Sequence, residues 1–212
     1  MTGTTGRKPT GGLPIGSGVE IFEAHYAGAP GAGWEIRRPQ SALVRLVRDG
    51  ALRGRVLDVG CGSGDNALMI AEHGLETTGV DAAPSGIELA RRKARERGLD
   101  VRFLVWDGME LPALGERFDT VVDVGFFHCF APGDRPALVA ALSEVVPVGG
   151  RYFLMCWSDR EPGTWGPHRI SERDIRTGFA DGWRIDSLEP AALEVAFEPG
   201  TVRAWLAAMT RV

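Results

Sequence analysis

Hydrophobic positions along this chain follow two rhythms. Short, nearly continuous apolar runs rich in β-branched residues occupy residues 55–59, 76–81, 101–105, 118–124 and Arg151–Trp157, the signature of strands buried on both faces. Between them apolar residues recur three or four positions apart. That spacing predicts a helix over residues 39–49, opened by Pro39 with Leu43, Val44, Leu46 and Val47 inward. It predicts another over 84–98, with Ile87, Ala90 and Ala94 inward, arginines outward and Gly98 as the C-terminal stop. Helical spacing also runs through residues 67–72 and from Asp134 onward, where Leu138, Leu142 and Val145 face inward. Ser171, followed by Glu172 and Asp174, caps a helix running to Phe179. Residues 183–188, extended by 192–197, and residues 201–209 read as two last strands. Strands alternating with helices predict an α/β, Rossmann-like fold with a mostly parallel sheet covered on both faces.

Composition narrows the picture. Residues 1–17 are rich in Thr, Gly and Pro with almost no apolar periodicity, so a disordered tail is expected, followed by a short helix over 18–27. The rest, 18–212, fits one domain, since 212 residues without an internal repeat suffice for a single core. A formal net charge of −4 argues against a nucleic-acid partner, and the one dense basic run, residues 91–97, lies on the outer face of a predicted helix. Cys61, Cys129 and Cys156 lack paired spacing, so neither a disulfide framework nor a metal site is expected. With no basic-then-apolar leader and no apolar run of spanning length, the expectation is a cytoplasmic protein without a membrane partner, monomeric or homodimeric.

The chemistry concentrates after the first strand. There Asp58-Val59-Gly60-Cys61-Gly62-Ser63-Gly64-Asp65-Asn66 passes directly into a helix. Glycines at a strand-to-helix turn let backbone approach a nucleotide-like ligand closely. The alternating spacing differs from the dinucleotide fingerprint, and Asp58 would repel a pyrophosphate while attracting a cationic amino group. Asp81 follows Gly60 by 21 positions, close to the spacing at which a carboxylate reaches a ribose diol.

This segment, with Asp81, resembles the cofactor loop of class I S-adenosylmethionine-dependent methyltransferases. The resemblance implies a seven-stranded, mostly parallel sheet with an antiparallel C-terminal hairpin strand, and a transferase that consumes S-adenosyl-L-methionine and releases S-adenosyl-L-homocysteine. It implies cofactor contacts from Asp58, Gly60, Cys61, Gly62, Gly64 and Asn66 in the loop, and from Asp81 and Ala82 after the second strand. Asp107 and Gly108 follow after the third, where the family holds the adenine amino group, and Asp123 on the fourth. Trp106 reads either as a wall of the adenine pocket or as a core indole. The Gly149-Gly150 pair before an apolar strand adds to the match. A narrower likeness, to thiopurine-methyltransferase-like enzymes, rests on Trp34-Glu35-Ile36-Arg37-Arg38-Pro39. There Trp34 lies over cofactor and substrate, and Arg37 stands where the pattern has Gly. Trp34 reads equally as a packing anchor.

At the end of the fourth strand, Gly125-Phe126-Phe127-His128-Cys129-Phe130 emerges where a doubly wound sheet binds ligands. His128 is the candidate general base for an acceptor hydroxyl, thiol or ring nitrogen, the alternative being a histidine that only caps or lines. Phe126, Phe127 and Phe130 form either a flat apolar wall or core. Residues 158–169 are too long and polar for a plain connector, which makes Trp165, His168 and Arg169 candidate substrate contacts alongside Trp34, Arg37, Phe127 and His128. The expected partner is a small-molecule acceptor, aromatic or heterocyclic. Thiol, halide or tellurite methylation and a non-catalytic cofactor-binding module stand as alternatives. A nicotinamide-dependent oxidoreductase is disfavoured by the glycine spacing.

Overall fold

A computed structural model describes residues 18–29 and 32–212; the tail expected over 1–17 lies outside them. Among these residues the strands are β1 (Val56–Val59), β2 (Thr77–Asp81), β3 (Arg102–Val105), β4 (Thr120–Val124), β5 (Arg151–Trp157), β6 (Trp183–Glu194) and β7 (Thr201–Arg211). The helices are α1 (Gly18–Tyr26), α2 (Ser41–Arg48), α3 (Asp65–Glu72), α4 (Pro84–Arg97), α5 (Arg135–Val145) and α6 (Glu172–Gly178). The sheet order is β3-β2-β1-β4-β5-β7-β6, with β7 antiparallel between β5 and β6. The chain reverses its winding between β1 and β4, and ligands of such sheets bind outside the carboxyl ends of strands at that switch point.

Strand parity divides the core. Leu57, Val59, Val121, Tyr152 and Leu154 face α5 and α6, joining Phe118, Phe127, Leu138 and Phe179. Val56, Val122 and Phe153 face the other way, against Leu43 and Val47 of α2 and Met69 and Ile70 of α3. Each large apolar side chain so buried contributes about 1.5–3 kcal/mol. On α4, Ile87, Ala90 and Ala94 are buried, and Gly98 ends the helix in the left-handed region at φ 65°. Ser171 and Asp174 close a reciprocal capping box on α6. No helix among the described residues is long and apolar enough to cross a membrane.

Three local expectations are corrected. The helix expected from Pro39 starts at Ser41, because Gln40 is pulled into a different pairing. Its side-chain amide bonds the Glu194 backbone in both directions at 3.0 Å, while the Glu194 carboxylate receives the Ser41 amide. The gap expected between residues 188 and 192 is absent, since β6 runs unbroken through Pro190. Proline is tolerated there because β6 is the outermost strand and needs no outward-facing N–H. The helix expected from Ala67 already begins at Asp65.

Arg37 is the one non-glycine residue with positive φ among the described residues, at 57°. A side chain in that region is strained, which explains why a related pattern would carry glycine here. Replacing Arg37 with Gly is expected to raise stability by up to about 1 kcal/mol, read as a melting temperature higher by roughly 2–4 °C; an unchanged or lower melting temperature counts against strain at this position.

Candidate active site

One cleft of about 820 Å³ opens above the carboxyl ends of β1, β2 and β4. Its size lies near the upper end for ligand pockets, enough for two ligands side by side. The loop after β1 forms one half. Gly60 (φ 69°) and Gly62 (φ 53°) line the cleft in left-handed backbone, and a Cβ on Gly60 would press into Phe126 while one on Gly62 would strike the Tyr26 hydroxyl. Cys61, Ser63 and Asn66 line it beside them. Gly64 does not: its missing Cβ makes room for Ala90 and the Phe103 ring, so it packs α3 and α4 together.

Asp81, at the end of β2, ties this half in place. Its Oδ2 accepts the Gly62 amide at 2.9 Å and its Oδ1 the Ala83 amide at 2.8 Å. Each carboxylate oxygen keeps a lone pair for a diol in the cleft. Burial raises its pKa, against those two amides. Ala82, Asp107 and Gly108 continue the lining, Asp107 exposed and accepting the Met109 amide. A glycine cradle, a carboxylate with lone pairs to spare and an exposed carboxylate thus line one cleft.

Besides Gly64, two expected cofactor contacts do not line the cleft. Asp58 shares the parity of Val56 and is buried beneath α3, beside the Ala67 amide and with Oδ2 unpartnered. Asp123 faces the opposite layer, where it accepts the amides of Phe126 (2.9 Å) and Phe127 and the Tyr152 hydroxyl (2.8 Å). It holds the turn that presents His128. Burial, then the charges of Asp123 and Asp81, pushes Asp58 up to about 8, and burial pushes Asp123 up to about 7.

The other half is aromatic. Phe126 and Phe130 meet edge to face at 4.8 Å, and Trp157, Trp165 and Phe197 form a second run with centroids 4.8 and 5.0 Å apart, all five lining the cleft. Trp34 lines it too, and its Nε1 donates to the Tyr26 hydroxyl at 3.0 Å, so this residue both anchors α1 and walls the site. Trp106 packs on the core and donates to the Glu110 carbonyl, away from the cleft. Phe127 is fully buried against Phe179 and under Arg135, not at the ligand surface. Arg37 points outward and is exposed. Arg169 donates to the carbonyls of Glu161, Gly163, Trp165 and Pro167 and lies over Trp157, making it the strut of its loop and not a lining residue. His168 lines the cleft with Nε2 buried and unpartnered.

His128 lines the cleft but is not poised as a base. Its Nδ1 accepts the Trp157 amide at 3.1 Å, which occupies the one lone pair of a neutral ring. Burial, then Arg169, His168 and Arg135, lowers its pKa to about 3. Leu193, Val195 and Phe197, at and beyond the end of β6, were not anticipated; only the apolar spacing of the last strands marked them, without indicating that the hairpin reaches back over the site.

In the folded state Asp58 and Asp123 hold protons that the unfolded chain releases near pH 4. Between about pH 4 and pH 8 the unfolded state therefore binds fewer protons, and stability falls as pH rises. Asp58→Asn is expected to flatten the decline of the ligand-free melting temperature over this window, and an unchanged slope would refute the buried, protonated carboxyl.

The comparisons agree with this geometry. A family model described as a methyltransferase domain matches residues 56–150. The 2-heptyl-1-hydroxyquinolin-4(1H)-one methyltransferase of Mycobacteroides abscessus is 33% identical over 183 residues, covering 82% of this chain and 81% of that protein. A structure solved in work on the conversion of a disulfide bond into a thioacetal group during echinomycin biosynthesis superposes with TM-score 0.83 at 34% identity, covering 91% of this chain and 92% of that one. The magnesium protoporphyrin IX methyltransferase of Synechocystis PCC 6803 with bound SAM shares the fold at TM-score 0.65 and 24% identity, over 81% and 77% of the two chains. With its glycine cradle, carboxylates and switch-point cleft, the chain belongs to the class I S-adenosylmethionine-dependent methyltransferases.

Proposed function

We propose that this methyltransferase acts on a small, flat aromatic or heteroaromatic acceptor, at an oxygen, nitrogen or sulfur atom. The observation that carries this is the aromatic half of the cleft: Phe126 and Phe130 on one side, Trp157, Trp165 and Phe197 on the other. Rings of this kind stack a planar acceptor and exclude water from it. The relative that methylates a hydroxyquinolinone supports the same class. The Trp34–Gln40 segment, with its left-handed Arg37, supports a place among the thiopurine-methyltransferase-like enzymes.

When bound, S-adenosylmethionine supplies a sulfonium methyl: the acceptor's lone pair forms the new bond to that carbon while the carbon–sulfur pair stays on sulfur. The chain's own residues hold the partners. The Gly60–Gly62 backbone receives the amino-acid end, Asp81 the ribose hydroxyls and Asp107 the adenine amine. Alignment in a dry cleft accounts for most of the rate, on the order of 7–11 kcal/mol for well-oriented partners. The working form is a single domain over 18–212, cytoplasmic, monomeric or homodimeric, without a nucleic-acid partner. A second reading, methylation at a non-aromatic sulfur, is favoured by the likeness to the structure solved in work on converting a disulfide bond into a thioacetal group.

The test is S-adenosylhomocysteine formation against hydroxylated heteroarenes, phenols, azaheterocycles, thiols, iodide and tellurite. Turnover is expected on heteroarenes above all; turnover confined to thiols or inorganic ions would overturn the reading. Trp165→Ala is expected to raise the acceptor KM about tenfold while leaving the cofactor Kd unchanged. Asp81→Ala should weaken cofactor binding on the order of 10- to 100-fold by calorimetry, and equal binding would remove Asp81 from the site.

A further inference from the structure

The backbone at Trp157 fixes the chemistry of His128. An amide N–H only donates, so the Nδ1 that receives it at 3.1 Å carries no proton, and the neutral ring must carry its proton on Nε2. Nε2 has no protein partner among the described residues, and the ring lines the cleft. Any hydrogen bond that Nε2 makes to a ligand is therefore one it donates.

Burial acts most on His128, followed by Arg169, which lies over Trp157, His168, whose amide donates to the His128 carbonyl, and Arg135, which lies over Phe127. No carboxylate bonds to His128 among the described residues. The two guanidinium groups favour an anion in front of the ring, against the cost of burying it. Of the other groups near this half, His168 lines the cleft with Nε2 buried and unpartnered, while the Cys129 thiol donates to the Gly125 carbonyl and burial, then the charges of Asp123 and Asp81, pushes it to about 12. The oxygens of Glu194 are taken by Arg38 and Ser41. Asp134 sits exposed at the start of α5.

We infer that His128 serves as a hydrogen-bond donor through Nε2–H, and that the pocket selects acceptors whose reacting heteroatom is already ionised, such as a phenolate-like or N-oxide-like oxygen. This deepens, and rests on, the aromatic-acceptor reading. An anionic acceptor meeting a sulfonium leaves two neutral products and no proton to remove. The donor orients the anion and lowers the pH at which the acceptor ionises.

Two measurements test this. In 15N-labelled protein, histidine ring signals, assigned to His128 with the His128→Asn variant, should show Nε2 protonated and Nδ1 bare, with no titration from pH 5.5 to 9. A bare Nε2, or a midpoint between pH 6 and 8, would overturn the assignment. Asparagine keeps an acceptor for the Trp157 amide and loses the Nε2–H. With acceptors ionised throughout the pH range, His128→Asn should raise KM about 10- to 100-fold. A variant that slows only neutral acceptors and spares ionised ones would restore the base. If no aromatic acceptor turns over, the acceptor reading fails, while the ring signals still decide the state of His128.

Discussion

The site depends on one carboxylate that spans two strands. Asp81 ends β2 yet holds the amide of Gly62, which belongs to the turn after β1, and the amide of Ala83, which begins the approach to α4. Those two bonds fix a left-handed turn that would otherwise sample many conformations, because glycine restricts itself so little. Charge-assisted bonds of this kind are each worth about 1.5–3 kcal/mol. The cradle is thus preorganised, and the carboxylate that shapes it also lines the cleft.

A second acidic side chain performs the matching task for the aromatic half of the cleft without lining it. Asp123 gathers the Phe126 and Phe127 amides and the Tyr152 hydroxyl, so the turn after β4 has one arrangement. Phe126 then points into the cleft, Phe127 into the core, and His128 toward the backbone of β5. Asp58 and Asp123 lie on opposite faces of neighbouring strands, and both are buried enough to favour the protonated form. Binding geometry here is set at some cost in stability, a common relation at functional sites.

Much of this was legible in the sequence, for local reasons. The strands β1, β2, β4 and β5 are continuous apolar runs, and the glycine turn announces its own conformation, so the sheet and the cradle follow from neighbours in the chain. What was missed is non-local. Asp58 and Asp123 look like ligand contacts because they flank the right loops, but strand parity turns them into opposite layers, and parity depends on which helix covers which face. Arg169 looked like a substrate contact until its loop carbonyls claimed it. The tautomer of His128 is set by a single backbone amide 29 residues away, from a strand whose register no local pattern reveals.

A crystal structure with S-adenosylhomocysteine and a hydroxyquinolinone bound together tests the central claim, that one cleft has a cofactor half and an aromatic acceptor half meeting at His128. The account predicts ribose hydroxyls on Asp81, the heteroarene between Phe126 and Trp165, and its oxygen within hydrogen-bond distance of His128 Nε2. A heteroarene bound elsewhere, or an oxygen turned away from Nε2 with His128 released from the Trp157 amide, would contradict it.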